Sequence, residues 1–199
     1  MATDDKDRQI EELGRRLEHE VGTLNRLIEI TGALNSTLNV DELLGLIMRS
    51  GADLLDAETS SLFLLDEERN ELEIAVATGA PAEDVMRQRI PADTGIAGWV
   101  VENAEPAVVD DPKTDPRFYG GIDEQSGFQT RNLLAVPLRT KDKVIGVVEI
   151  INKRDGGFSQ DDVRVASALA DQAGTAIDNA RLYARLADAV VTSRMSYRL

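Results

Sequence analysis

One carboxylate stands where a carboxylate is costly. Glu149 lies within the run Val-Ile-Gly-Val-Val-Glu-Ile-Ile, residues 144–151. Strand alternation places Val147, Glu149 and Ile151 on one face, with Val148 and Ile150 on the other. Both faces are largely apolar, and a buried charge without a partner is expensive. Glu149 is therefore expected to point into a pocket or a buried pair. The segment before this run, roughly Asp110 to Arg131, is too long for an ordinary connection. Loops of that length are lids, binding loops or disordered segments. Phe118, Tyr119, Ile122 and Phe128 are scattered through it and resist staying in water. A lid over something small is the better account.

Composition removes other chemistries. The chain has no cysteine, which excludes disulfides, thiol catalysis, covalent bilin attachment and thiolate metal sites. The one histidine, His19, lies near the N-terminus, so neither a haem ligand nor a Ser-His-Asp triad is at hand inside the domain. Acidic residues are plentiful, but none stands in a recognisable catalytic spacing. No dinucleotide glycine fingerprint, Walker sequence or internal repeat is present.

The 199 residues suit one domain with long helical arms, and 42% hydrophobic with 29% charged residues is the balance of a soluble globular protein. A net charge of −14 argues against nucleic acid and anionic membranes as partners. It leaves room for a local phosphate site built from backbone amides. No apolar run approaches the ~18 residues that span a bilayer, and MATDDKDRQIEE does not read as a signal peptide. A cytoplasmic protein is expected.

These residues need a frame. Ile10, Leu13, Leu17, Leu24, Leu27, Thr31 and Leu34 recur at helical steps and leave a narrow apolar seam. Such a helix either lies on its own domain or pairs with a second copy. Asn39 and Glu42 form a capping-box pattern for a second helix to about Asp56, with Leu43, Leu44, Ile47, Met48 and Leu55 toward the core. Ser61–Leu65 and Leu72–Thr78 read as strands, and Val85–Ile90 stays ambiguous. Asp93 or Thr94 can cap a short helix to about Asn103, followed by a short strand over 106–109. Leu133–Leu138 and Val144–Ile151 read as a strand pair joined at Thr140–Lys143. Ser159 with Asp162 is a second capping box, with Phe158 placed to pack on Val163. The helix it starts continues through Leu169, Ala173, Ala176, Ala180, Tyr183, Ala187 and Val190.

An ordered set of residues carries a family resemblance. Asp115-Pro116-Arg117-Phe118, Asp123, Ser126-Gly127-Phe128-Gln129-Thr130, Pro137, Asn152-Lys153, Phe158 and Asp162 resemble the pattern of the GAF domains that regulate cyclic-nucleotide phosphodiesterases and bacterial adenylyl cyclases. SSLFLLDEERNEL and IPADTGIAGWV upstream fit as well. The similarity runs from about Leu24 to Leu182. One residue departs from the motif: its final Glu is Val163 here.

The resemblance implies an α+β fold. A central antiparallel sheet of about six strands would carry long N- and C-terminal helices on one face, with short helices and the lid on the other. Residues 1–23 would be an N-terminal helical arm, 24–182 the domain and 183–199 a C-terminal arm. The implied function is a non-enzymatic sensor that binds a small ligand under the lid. Cyclic AMP or cyclic GMP would be ligands rather than cofactors, and no metal is implied. Occupancy would pass through dimerising terminal helices to an effector domain outside this sequence. Two other classes stay open: a constitutive dimerisation module with a vestigial pocket, and an enzyme working through carboxylates.

Contacts follow residue by residue from the same resemblance. Ser61 stands at a small polar position on the first strand, and Ile96 and Ala97 match positions covering the sugar and base. Tyr119 matches a lid residue whose amide meets the phosphate. Ser126 and Thr130 match two hydroxyl positions, and Glu149 matches an inward carboxylate near the sugar. Thr78 takes the place of the family's edge-reading Asp, and Ala77 that of its stacking aromatic. Losing that ring forfeits about 1–3 kcal/mol. Asn152, Lys153, Phe158 and Asp162 are expected to brace the fold rather than touch ligand.

Overall fold

The computed structural model describes residues 40–79, 82–141 and 143–196. The apolar seam at Ile10–Leu34, His19 and the Asn39 half of the first capping box lie outside these residues. The unit that begins at Val40 carries the architecture below.

Helix α1 (Val40–Leu54) leads into the hairpin of β1 (Ala57–Asp66) and β2 (Glu71–Ala77). A single turn, α2 (Ala82–Val85), precedes β3 (Arg89–Pro91), α3 (Gly95–Asn103) and β4 (Ala107–Val109). The lid segment holds one short helix, α4 (Gly121–Ser126). β5 (Leu133–Thr140), β6 (Lys143–Lys153) and α5 (Gln160–Ser196) complete the chain. The strands form one sheet in the order β3-β2-β1-β6-β5-β4, and every neighbouring pair is antiparallel. The fold is therefore α+β with a six-stranded antiparallel sheet. The ambiguous stretch 85–90 divides between the end of α2 and the start of β3. Among the described residues, no helix is long and apolar enough to cross a membrane.

Two apolar layers sandwich the sheet. On one face, Leu62, Leu134, Val136, Val148 and Ile150 bury against Leu44 and Met48 of α1 and Ala166, Ala170 and Ala173 of α5. The alanines of α5 present no long side chains, so the helix lies close to the strands. On the other face, Phe63, Leu72, Ile74, Leu133 and Val147 pack with Ile96, Ala97 and Val100 of α3, and Phe118 and Ile122 of the lid join them. Full burial of each large side chain contributes roughly 1.5–3 kcal/mol, so both layers are needed to hold the sheet. β6 shows the alternation directly, with Val148 and Ile150 toward the helices and Val147 toward the lid side.

Close approach is set by two glycines. A Cβ on Gly146 would lie 1.9 Å from the Phe63 carbonyl oxygen, beside the register shift between Leu62 and Phe63. A Cβ on Gly174 would lie 2.0 Å from the Arg139 carbonyl oxygen, where α5 crosses β5. Pro137 is tolerated in β5 because pairing with β4 ends at Ala135.

Candidate functional site

Strand alternation turns Thr59, Ser61 and Phe63 of β1 and Glu149 and Ile151 of β6 toward the lid side, where they floor a cavity. The first turn of α3, Thr94 to Ala97, forms one wall. The roof is the lid, contributed by Phe118, Tyr119, Ile122, Asp123, Ser126 and Phe128. Seven of the eight residues expected at a ligand site line this space: Ser61, Ile96, Ala97, Tyr119, Ser126, Thr130 and Glu149.

Thr78 does not. Its hydroxyl lies 2.8 Å from the Ser60 hydroxyl and accepts from the Ser60 N–H at 3.0 Å, and Ser60 in turn donates to the Met48 carbonyl of α1. The reason is alternation: Ala77 pairs with Ser61, so Ala77 shares its face and Thr78 turns to the helices. The place of a stacking ring is thus held by a methyl group.

Ser61 and Glu149 are partners across β1 and β6. Ser61 is only 7% exposed, and its hydroxyl finds no hydrogen-bond partner among the described residues. Among the described residues, no hydrogen bond or ion pair reaches the Glu149 carboxylate either. Desolvation, and to a lesser degree the negative charge of Asp123, pushes its pKa up to about 7. The surface Glu149 retains opens on the cavity it lines.

The other hydroxyls are already engaged. Thr130 donates its N–H (2.7 Å) and its hydroxyl (2.8 Å) to the two carboxylate oxygens of Asp123. Ser126 donates to the Ile122 carbonyl at 2.8 Å and accepts from the Phe128 N–H. Thr59 donates to the Thr78 carbonyl. The Thr130 and Ser126 bonds fold the lid on itself. Tyr119 is 43% exposed and lies against Gly95 and Gly121, where a Cβ would meet its side chain at 3.1 and 2.3 Å. Ile96 and Ala97 are buried. Thr94 precedes α3 without its side chain capping it, so the amides of the first turn lack a protein side chain to meet them.

The lid is fastened at both roots. At its start, Arg117 makes a two-pronged bond to Asp115 (3.0 and 2.7 Å) and lies over the Trp99 ring at 4.7 Å. The Arg117 hydrogen bonds hold the Asp115 carboxyl below the usual range. At its end, Asn152 accepts from the Arg131 N–H at 2.7 Å and donates to the Gln129 carbonyl and to Glu58, each at 2.8 Å.

Lys153 reaches Asp162 at 2.9 Å and the Leu55 carbonyl at 3.2 Å, tying β6 to α5 and to the end of α1. Asp162 also accepts from the Ser159 N–H at 2.7 Å while its own N–H donates to the Ser159 hydroxyl, which is the capping box. Burial works to raise the Asp162 pKa, but Ser159 and Lys153 together hold it below the usual range. Phe158 and Val163 join the helix-side core.

Sequence reasoning placed Asp123 in a motif without giving it a site role, and omitted Thr59 and Thr94. Counting two residues back from Ser61 would have found Thr59. The cavity, partly open to solvent, has a volume of about 70 Å³. That is room for a few waters, well short of the ~300–1,000 Å³ of a site for a drug-sized ligand.

A lidded six-stranded antiparallel sheet backed by α1 and α5 frames the cavity. The chain belongs to the GAF domain family, whose family model matches residues 37–178. It is 28% identical over 185 residues to "Probable 3',5'-cyclic phosphodiesterase pde-5" of Caenorhabditis elegans, covering 88% of this chain and 25% of that protein. It is 30% identical over 168 residues to "Dual 3',5'-cyclic-AMP and -GMP phosphodiesterase 11A" of Takifugu rubripes, covering 79% and 19%. The chain thus spans a quarter or less of these relatives' length. Among solved structures, the GAF domain of a phosphoenolpyruvate-protein phosphotransferase from Coxiella burnetii superposes with a TM-score of 0.68 at 23% identity, covering 81% of this chain and 96% of that one.

Proposed function

We propose that this GAF domain is a non-enzymatic sensory module of a cytoplasmic signalling protein. It takes a small ligand under the Phe118–Thr130 lid and relays occupancy through its terminal helices, residues 1–23 and 183–199, which dimerise. The observation that carries this reading is the cavity floor. Ser61 and Glu149 face a cavity with hydrogen-bonding capacity that no group among the described residues uses, and a ligand would supply what is missing. Lid closure favours one arrangement of the arms only to the extent that ligand binds that arrangement better. Leu182 and Tyr183 of α5 are more than half exposed, which suits a helix that continues into an interface.

An enzyme working through paired carboxylates fits less well. Asp123 lies near enough to act on Glu149, yet both its oxygens accept from Thr130, the arrangement of a brace. A cyclic nucleotide is one ligand class to try, because the relatives' names carry it. It requires the lid to lift, given a cavity of about 70 Å³. That small volume, with Ala77 in place of a ring, favours the second reading, a constitutive dimerisation module.

Calorimetric titration with cyclic AMP, cyclic GMP and a panel of small metabolites separates the two. Trp99, the single tryptophan, reports the lid through Arg117. Heat together with a Trp99 fluorescence change supports the sensor, and silence at millimolar ligand supports the dimerisation module. Sedimentation as a monomer at high micromolar concentration would remove the dimer from both.

A further inference from the structure

The cavity has two unlike poles. On the floor, the unpartnered Glu149 carboxylate sits beside Ser61, a residue more than nine-tenths buried whose unpartnered hydroxyl is reached only from the cavity. Asp123 adds a second negative charge nearby, and among the described residues no Lys, Arg or His lines the space. A ligand group facing this pole must donate hydrogen bonds and is favoured if it is positive. On the wall, the first turn of α3 presents amides at the positive end of a nine-residue helix that Thr94 leaves without a side-chain cap. A group facing this pole must accept and is favoured if it is negative. Both poles border one partly open cavity of about 70 Å³, so a molecule touching both inside it is only a few atoms long.

We infer that the cavity takes a small zwitterion, an α-amino acid, with its ammonium on Glu149 and Ser61 and its carboxylate on the first-turn amides of α3. This rests on the sensor reading above and names the ligand class. The apolar remainder of the lining, Phe63, Ile74 and Ile151 on the floor and Phe118 and Ile122 in the roof, suits a short apolar side chain in so small a cavity. A cyclic phosphate diester has an anion for α3 but no cation for Glu149. Its sugar hydroxyls can donate to that carboxylate but do not neutralise it, as an ammonium does.

The test is thermal unfolding of the full chain with glycine, alanine, serine and larger α-amino acids. The half-ligands acetate and ethylammonium, and cyclic AMP and cyclic GMP, run as separate arms. A small α-amino acid at a hundredfold excess over its Kd should raise Tm by about 5–10 °C. Larger ones should act more weakly, and each half-ligand should need at least about tenfold more. Glu149→Gln, a near-isosteric change, should lose most of the response, and Ser61→Ala part of it. Both should keep a cooperative transition without ligand. Equal response to ethylammonium and to the amino acid would overturn the two-pole assignment. Response to a cyclic nucleotide but to no amino acid would overturn the inference and leave the sensor standing. Silence in every arm would overturn both.

Discussion

The side-chain oxygen of Asn152 accepts the backbone N–H of Arg131 at 2.7 Å, so the last strand grips the chain just where the lid ends. The same amide donates to Gln129 and Glu58, and Asn152 itself holds φ at 61°. Few residues other than glycine and asparagine accept that conformation. Asn152→Ala should cost about 3 kcal/mol in urea unfolding, combining orphaned partners with backbone strain. Asn152→Gly keeps the conformation and loses only the bonds, so it should cost about 1 kcal/mol less. Amide exchange over 128–132 should quicken in both. Equal stability of the two variants would show that the clamp, rather than the backbone conformation, is what the position supplies.

Lys153 and Asp162 join β6 to α5 with side chains only 18% and 13% exposed. Breaking one partner of such a pair leaves a poorly solvated charge, so Lys153→Met should cost about 2 kcal/mol. The folded Asp162 pKa lies below its unfolded value. Its contribution is therefore complete above the unfolded pKa near 3.8 and is lost as pH falls through the folded one. In Asp162→Asn, stability below about pH 4 should fall less steeply than in the parent. An unchanged acid slope would mean that the pair carries no linkage.

Much of this was legible beforehand, for physical reasons. Strand alternation around Glu149 is period two and survives any tertiary context, so its face was readable. The Ser159–Asp162 cap is local and was readable from four residues. Thr78 was misplaced because family position, rather than alternation, assigned it. With Ser61 pointing to the lid and Ala77 opposite it, the next residue had to face the helices. The Asp123–Thr130 and Asn152–Arg131 bonds join residues whose separation is set by the fold, and no spacing rule announces them. Cavity size likewise depends on how Tyr119, Phe118 and Phe128 settle.

Gly146 lies where β6 passes the register shift in β1, and the obstructing atom is a backbone oxygen that cannot rotate away. Gly146→Ala should therefore separate the two central strands and cost about 3 kcal/mol or more, against the 1–3 kcal/mol usual for overpacking. For a chain of this size that corresponds to a Tm lower by about 6–12 °C. Gly51→Ala, whose Cβ would meet only side-chain carbons at 3.0 and 3.5 Å, should cost less because side chains can yield. The reverse order would mean that the sheet accommodates the methyl group.

Glu149 should impose a pH dependence opposite in sign to that of Asp162. Its folded pKa is raised from 4.5 to about 7, so the folded protein holds a proton that the unfolded chain releases. Between those values stability must fall as pH rises, with the full contribution present below about pH 4.5 and gone above about pH 7. The groups facing it are Asp123 from the lid, which opposes its ionisation, and the Ser61 hydroxyl from β1; no cation among the cavity residues offsets them. At 1.36 kcal/mol per pKa unit the span is at most about 3 kcal/mol. Glu149→Gln, neutral at every pH, should be more stable than the parent at pH 8 by about 2–3 kcal/mol and nearly equal to it at pH 5. Urea titrations at the two pH values measure the difference directly. If the parent is as stable at pH 8 as the glutamine variant, the carboxylate already has a partner and the unsatisfied floor of the cavity does not exist.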